Sequence, residues 1–160
     1  MQFDKIKSII DDLMPGAVVD VDEVAFPKAL WIHPNSILNL CKALHSNQNL
    51  YFDSLSCLTG LDNGEEEKTI EIIYNLYSIP YNLHLMLKVK IDRERPEIDS
   101  VTEVWKTADW HEREVFDLLG VKFNNHPDLR RILLPDDWEG HPLRKDYVEQ
   151  EKYHEVKVKY

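Results

Sequence analysis

TIEIIYNLYSIPYNLHLMLKVKI, residues 69–91, is the stretch whose reading decides the fold. Within it Leu83, Leu85, Leu87, Val89 and Ile91 alternate with His84, Met86, Lys88 and Lys90. A period of two places one set on each face of a β-strand. Ile70, Ile72, Tyr74 and Leu76 alternate in the same way across Thr69–Tyr77. Ser78–Asn82, which contains Pro80, joins the two runs, so they read as an antiparallel hairpin. One face of that hairpin is apolar and has to be covered, and helices elsewhere in the chain are the natural cover.

Working outward toward the N-terminus, Phe3, Ile6, Ile9, Ile10, Leu13 and Met14 fall at helical spacing, and Pro15-Gly16 stops the helix. Ala17–Val21 and Ala29–His33 read as short strands. Pro34-Asn35-Ser36 opens a second helix with Ile37, Leu40, Cys41 and Leu44 on one face. Tyr51–Leu58 is a third strand, and Asp62-Asn63-Gly64 is a turn signal kept in water by Glu65–Glu67. Toward the C-terminus, Arg93–Ser100 is a charged turn. A helical stripe begins at Val101, Val104, Trp105 and Ala108 and continues through Val115, Leu118 and Leu119. Asp109 with Glu112 suggests a capping box, and Gly120 suits the left-handed residue after a helix. The expected order is α-β-β-α-β-β-β-α. This is a two-layer α+β domain over residues 1–120, with a mixed, largely antiparallel sheet and helices on one face. Residues 121–160, punctuated by Pro127, Pro135 and Pro142, read as an extended docking segment and polar tail that form no domain of their own.

The bulk properties narrow the function. A net charge of −10 argues against general nucleic-acid binding, which needs a basic footprint. No window approaches the run of about eighteen apolar residues that a membrane span requires. The N-terminus lacks the basic and apolar regions of a signal peptide. Cys41 and Cys57 stand alone, without the paired spacing of a zinc or iron–sulfur site, and read as reduced thiols. The five glycines form no phosphate-binding loop.

The candidate chemistry concentrates in residues 108–147, ADWHEREVFDLLGVKFNNHPDLRRILLPDDWEGHPLRKDY. His33, His111, His126 and His141 have no spacing that metal ligation demands, so structural roles are expected. Glu112 and Glu114 differ by about 200° of helix rotation and face opposite ways, which weakens an acid–base pair. Glu112 falls on the apolar stripe; if buried it needs a cation or several donors, and Arg130 and Arg131 are the plausible suppliers. Glu112, Arg113, Glu114, Asp117 and Gly120 therefore read as a structural network that secures the segment. Beyond them, His126, Pro127, Asp128, Leu129, Arg130, Arg131, Ile132 and Leu133 form one stretch of a partner surface. Trp138, Pro142, Leu143, Arg144, Lys145, Asp146 and Tyr147 form another, because aromatics and arginines anchor protein interfaces. A free-standing hydrolase or lyase using Glu112, Glu114 and His111 is the alternative of a different class.

At WHEREVFDLLGVKFNNHPDLRRILLPDDWEGHPLRKDY the chain resembles the C subunit of bacterial NADH–quinone oxidoreductase, respiratory complex I, in the thirty-kilodalton subunit family. About forty residues carry the likeness: Glu112-Arg113-Glu114, Asp117, Gly120, the His126–Leu134 run, Trp138 and Pro142–Tyr147. The resemblance implies a non-catalytic core subunit of the peripheral arm, on the cytoplasmic side of the bacterial inner membrane and tied to the membrane only through the complex. It implies no cofactor in this chain, with FMN and iron–sulfur clusters held by partner subunits, and packing against the large D subunit. The assembly would oxidise NADH, reduce a quinone and translocate protons. Similar subunits occur in plastid-type NAD(P)H dehydrogenases, dehydrogenases of reduced coenzyme F420 and membrane-bound hydrogenases.

Overall fold

The structure is a computed structural model and describes residues 2–157. Helix α1 is Phe3–Leu13, followed by strands β1 (Val18–Asp22) and β2 (Ala29–Ile32) and helix α2 (Ile37–Ser46). Strands β3 (Ser54–Asp62), β4 (Thr69–Ser78) and β5 (Leu83–Asp92) come next. A short β6 (Glu97–Asp99), helix α3 (Ala108–Leu119) and a short β7 (Lys122–Asn124) close the globular part. The main sheet runs β1-β2-β5-β4-β3, antiparallel throughout except for the parallel pair β2–β5.

The hairpin of residues 69–91 is the centre of that sheet. Its register sets Ile70 beside Ile91, Ile72 beside Val89, Tyr74 beside Leu87 and Leu76 beside Leu85. All eight side chains are buried and belong to one apolar cluster. The helices complete the same cluster with Ile6 and Ile10 of α1, Ile37, Leu40, Cys41 and Leu44 of α2, and Ala108, Val115 and Leu119 of α3. Cross-strand pairs on one face and a helical cover are how such a sheet removes apolar surface from water. Gly60 decides where α3 lies: a Cβ there would stand 2.5 Å from Leu119 Cδ1 and 3.1 Å from Val115 Cγ1. Its missing side chain lets the helix rest on β3.

Four local expectations are corrected. Strand β3 starts at Ser54 rather than Tyr51, because the Tyr51 and Leu50 amides turn back onto the Asn47 carbonyl and Tyr51 takes a positive φ of 36°. Helix α3 starts at Ala108, not Val101. The Val101 amide donates to Glu112 Oε1 at 2.8 Å, so Val101–Trp105 forms turns tied beneath the helix. That bond also takes Glu112 out of the expected capping box; Thr107 precedes the helix, and no side chain caps it. Finally, β6 and β7 form a parallel pair and the tail carries a small hairpin, β8 (Lys152–Tyr153) with β9 (Val156–Lys157). Val121 and Phe123 lie in the core, so the globular part continues past Gly120.

Candidate functional site: a clasp at the end of helix α3

A helix leaves its last four carbonyls without partners inside the helix. In α3 they are those of Phe116, Asp117, Leu118 and Leu119. Gly120, left-handed at φ 75°, returns its own N–H to Phe116 O at 2.8 Å. The other three carbonyls are met by Arg131, His141, Leu143 and Arg144 of residues 126–147, which wrap over the helix end as a strap. Arg131 Nη1 donates to Asp117 O at 3.1 Å and His141 Nδ1 lies 2.9 Å from the same atom. The Leu143 amide donates to Leu118 O at 3.0 Å, and Arg144 Nε to Leu119 O at 2.7 Å. Two guanidinium groups thus stand at the negative end of the helix dipole. Gly120 is needed twice, because a Cβ there would also come within 2.6 Å of the His141 ring.

Asp117 is the centre of the clasp. Its buried carboxylate accepts from the backbone amides of Ile132, Leu133 and Leu134 through Oδ2 at 3.0, 2.8 and 2.9 Å. Its Oδ1 takes Arg131 Nη1 at 2.7 Å. Burial alone would raise its pKa; the Leu134 amide, the Arg131 guanidinium and the remaining amides outweigh that and hold it below 3.8. Arg131 Nη2 reaches on to the carbonyls of Trp138 and Gly140 at 2.8 and 3.1 Å, so one side chain ties α3 to two further points of the strap. Arg113 holds the Arg130 and Arg131 carbonyls from the neighbouring turn of α3 at 3.2 and 3.1 Å.

A second fastening lies at the edge of the sheet. Arg93 and Asp62 form a two-pronged ion pair at 2.7 and 2.9 Å, and Arg93 Nη2 also meets Asp146 at 2.5 Å. Asp62 further accepts from the amides of Lys145 and Gly64 at 2.8 and 3.0 Å. The Arg93 guanidinium, chiefly, and these amides hold the Asp62 carboxyl far below the usual carboxylate range. Trp138 Nε1 donates to Tyr147 Oη at 3.1 Å and closes the end of the strap.

The residues considered for acid–base work do not converge. Glu112 is fully buried, His111 Nδ1 accepts the Leu58 amide at 3.0 Å, and Glu114 is exposed on the helix. Neither expected arginine serves Glu112: Arg131 belongs to Asp117, and Arg130 pairs with exposed Asp128 at 2.8 Å. The basic group beside Glu112 is instead His126, whose buried ring brings Nε2 to 4.0 Å from Glu112 Oε2. Among the described residues, no group of three or more His, Cys, Asp and Glu side chains is placed to hold a metal ion.

The partner surface expected over 126–147 therefore divides. Arg131 and Arg144 turn inward as fasteners, as do the Lys145 amide and the half-buried Trp138 and Tyr147, while Asp146 stays exposed and fastens on Arg93. His126 is also turned inward, Leu129 packs on the core, and Ile132 and Pro142 are half-buried. Pro127, Asp128, Arg130, Leu133 and Leu143 face solvent, with Leu133 and Leu143 exposed by 61% and 58%. Trp110 on α3 is also exposed, by 70%, although it is not among the residues expected to dock. Asp62 and Arg93 escape sequence reasoning as fasteners because their partners lie 31 and 53 residues away, beyond any local pattern.

The fold and clasp together define a small α+β domain whose C-terminal strap is held in shape by its own helix. The chain belongs to the family described as the 30 kDa subunit of respiratory-chain NADH dehydrogenase, whose model matches residues 30–153. It is 48% identical over 118 residues to the C subunit of the NADH-quinone oxidoreductase of Chloroherpeton thalassium; that match covers 73% of this chain and 48% of the relative. It is 43% identical over 133 residues to the C subunit of the Geobacter sulfurreducens enzyme, covering 82% of this chain and 81% of that one. The chain thus spans about half the length of the first relative and about four fifths of the second. Its fold matches a chain of the membrane-bound sulfane sulfur reductase, an archaeal respiratory membrane complex. The TM-score is 0.74 with 23% identity, over 91% of this chain and 85% of that one.

Proposed function

We propose that this chain is the non-catalytic C subunit of a bacterial NADH–quinone oxidoreductase. In this reading it sits in the peripheral arm on the cytoplasmic side of the inner membrane. Electrons pass from NADH through FMN and iron–sulfur clusters of other subunits to quinone, coupled to proton translocation. The outer side of the strap and Trp110 dock on the large D subunit and its neighbours. The observation that carries the reading is that the family match runs from β2 through the rest of the sheet and the strap, whose polar motif residues are consumed in holding the strap's shape. What remains outward is an apolar and charged rim of Leu133, Leu143, Trp110, Asp128 and Arg130, suited to contact rather than turnover.

Affinity purification of the tagged full chain from detergent-solubilised membranes tests this. The expected eluate contains the D subunit together with flavin and iron–sulfur subunits, and reduces quinone with NADH. A chain that elutes alone, or with the electron-input subunits of a hydrogenase or a sulfur reductase, contradicts the proposal.

A further inference from the structure

Glu112 and His126 meet where helix α3 receives the start of the strap. Glu112 Oε1 accepts the Val101 amide at 2.8 Å, but Oε2 is buried and has no hydrogen-bond partner. Among the described residues no lysine or arginine pairs with this carboxylate. His126 Nδ1 accepts the Asp128 amide at 3.0 Å, which places the ring hydrogen on Nε2. That N–H points to the Asp109 carbonyl at 3.1 Å and lies 4.0 Å from Glu112 Oε2. The other titratable groups around the pair are Asp109 on α3, with its carboxylate 3.7 Å from His126 Nε2, Cys41 on α2 and Tyr74 on β4. Burial raises both the thiol and the phenol, so neither supplies a charge near neutrality.

We propose that Glu112 and His126 form a buried, proton-dependent fastener between α3 and the strap. With Glu112 protonated, His126 stays on the Asp109 carbonyl and the Asp128 amide. When Glu112 releases its proton to solvent, the anionic Oε2 draws the Nε2–H across. The ring then leaves the Asp109 carbonyl and releases the Asp128 amide, and the beginning of the strap loosens. Burial supports this by pushing Glu112 from 4.5 up to about 7, against the pull of the Ser100 hydroxyl and the Val101 amide. The folded chain thus keeps a proton that the unfolded chain gives up. Its stabilising effect is full below pH 4.5 and is lost as pH rises through about 7.

The test is NMR on the full chain with carboxyl-labelled glutamate, combined with amide exchange corrected for its intrinsic pH dependence. The expected result is a Glu112 titration near 7 and a loss of Asp128 amide protection over the same interval, abolished in Glu112→Gln. His126→Gln should move the Glu112 midpoint. Unchanged Asp128 protection across the titration, or the same loss in folded Glu112→Gln, overturns the proposal. If Glu112→Gln does not fold, the wild-type titration decides alone: a midpoint at the ordinary 4.5 defeats the idea.

Discussion

The sheet and the strap respond differently to the loss of one side chain. In the sheet, Leu87 is one of many apolar residues in a shared cluster, beside Tyr74 of β4, a strand paired with β5 over its full length. At the strap, Asp117 of α3 alone accepts three backbone amides and a guanidinium, and Arg131 alone ties Asp117 to Trp138 and Gly140. Apolar burial is spread over an area, whereas polar fastening is concentrated in points. A region held by points can detach without unfolding the region held by area.

Asp117→Ala presses hardest on that difference. It takes the counter-charge from Arg131 and leaves three amides without partners, and breaking a buried pair of this kind removes about 3–5 kcal/mol. The loss should fall on the strap while the circular dichroism of the sheet persists. Leu87→Ala should remove about 2–5 kcal/mol and lower the melting of the whole domain, strap included. If Asp117→Ala melts the sheet as deeply, the two regions are one unit. Arg144→Ala should lose less, about 1.5–3 kcal/mol, the range for a hydrogen bond to a charged group. Arg130→Ala should leave melting within about 0.5 kcal/mol, since its pair with Asp128 is exposed; under the docking proposal it weakens assembly instead.

Acid separates the regions by a second route. Asp62 and Asp117 are both held below 3.8, so their stabilisation is present above that value and is lost as pH falls beneath it. Fluorescence of Trp138 and Trp110 on acidification should report strap release before the far-ultraviolet signal of the sheet changes. Glu112, only five residues from Asp117 on the same helix, acts in the opposite sense because it is buried without a cation.

The same contrast explains which features are legible in the sequence. Period-two alternation over residues 69–91 is a local signal, and it locates the centre of the sheet and its apolar face. Gly120 is legible because one residue type suits a left-handed helix end. The charged motif is legible as important but not in its direction. Residue type alone turns Arg131 and Arg144 outward, and gives Arg131 to Glu112 rather than Asp117. Whether a charged side chain points inward depends on partners brought together by the fold, and Arg93 meets Asp146 across 53 residues. The start of α3 is not legible either, because Glu112 satisfies the Val101 amide, a contact that no helical pattern encodes.

Amide exchange of Ile132, Leu133 and Leu134 in the isolated chain tests the clasp most directly. These three amides should be protected in the wild type without any partner protein. In Asp117→Ala they should lose protection while the amides of β4 and β5 keep theirs. Free exchange in the wild type, or parallel loss in the strap and the sheet, would contradict a strap held in shape by its own helix.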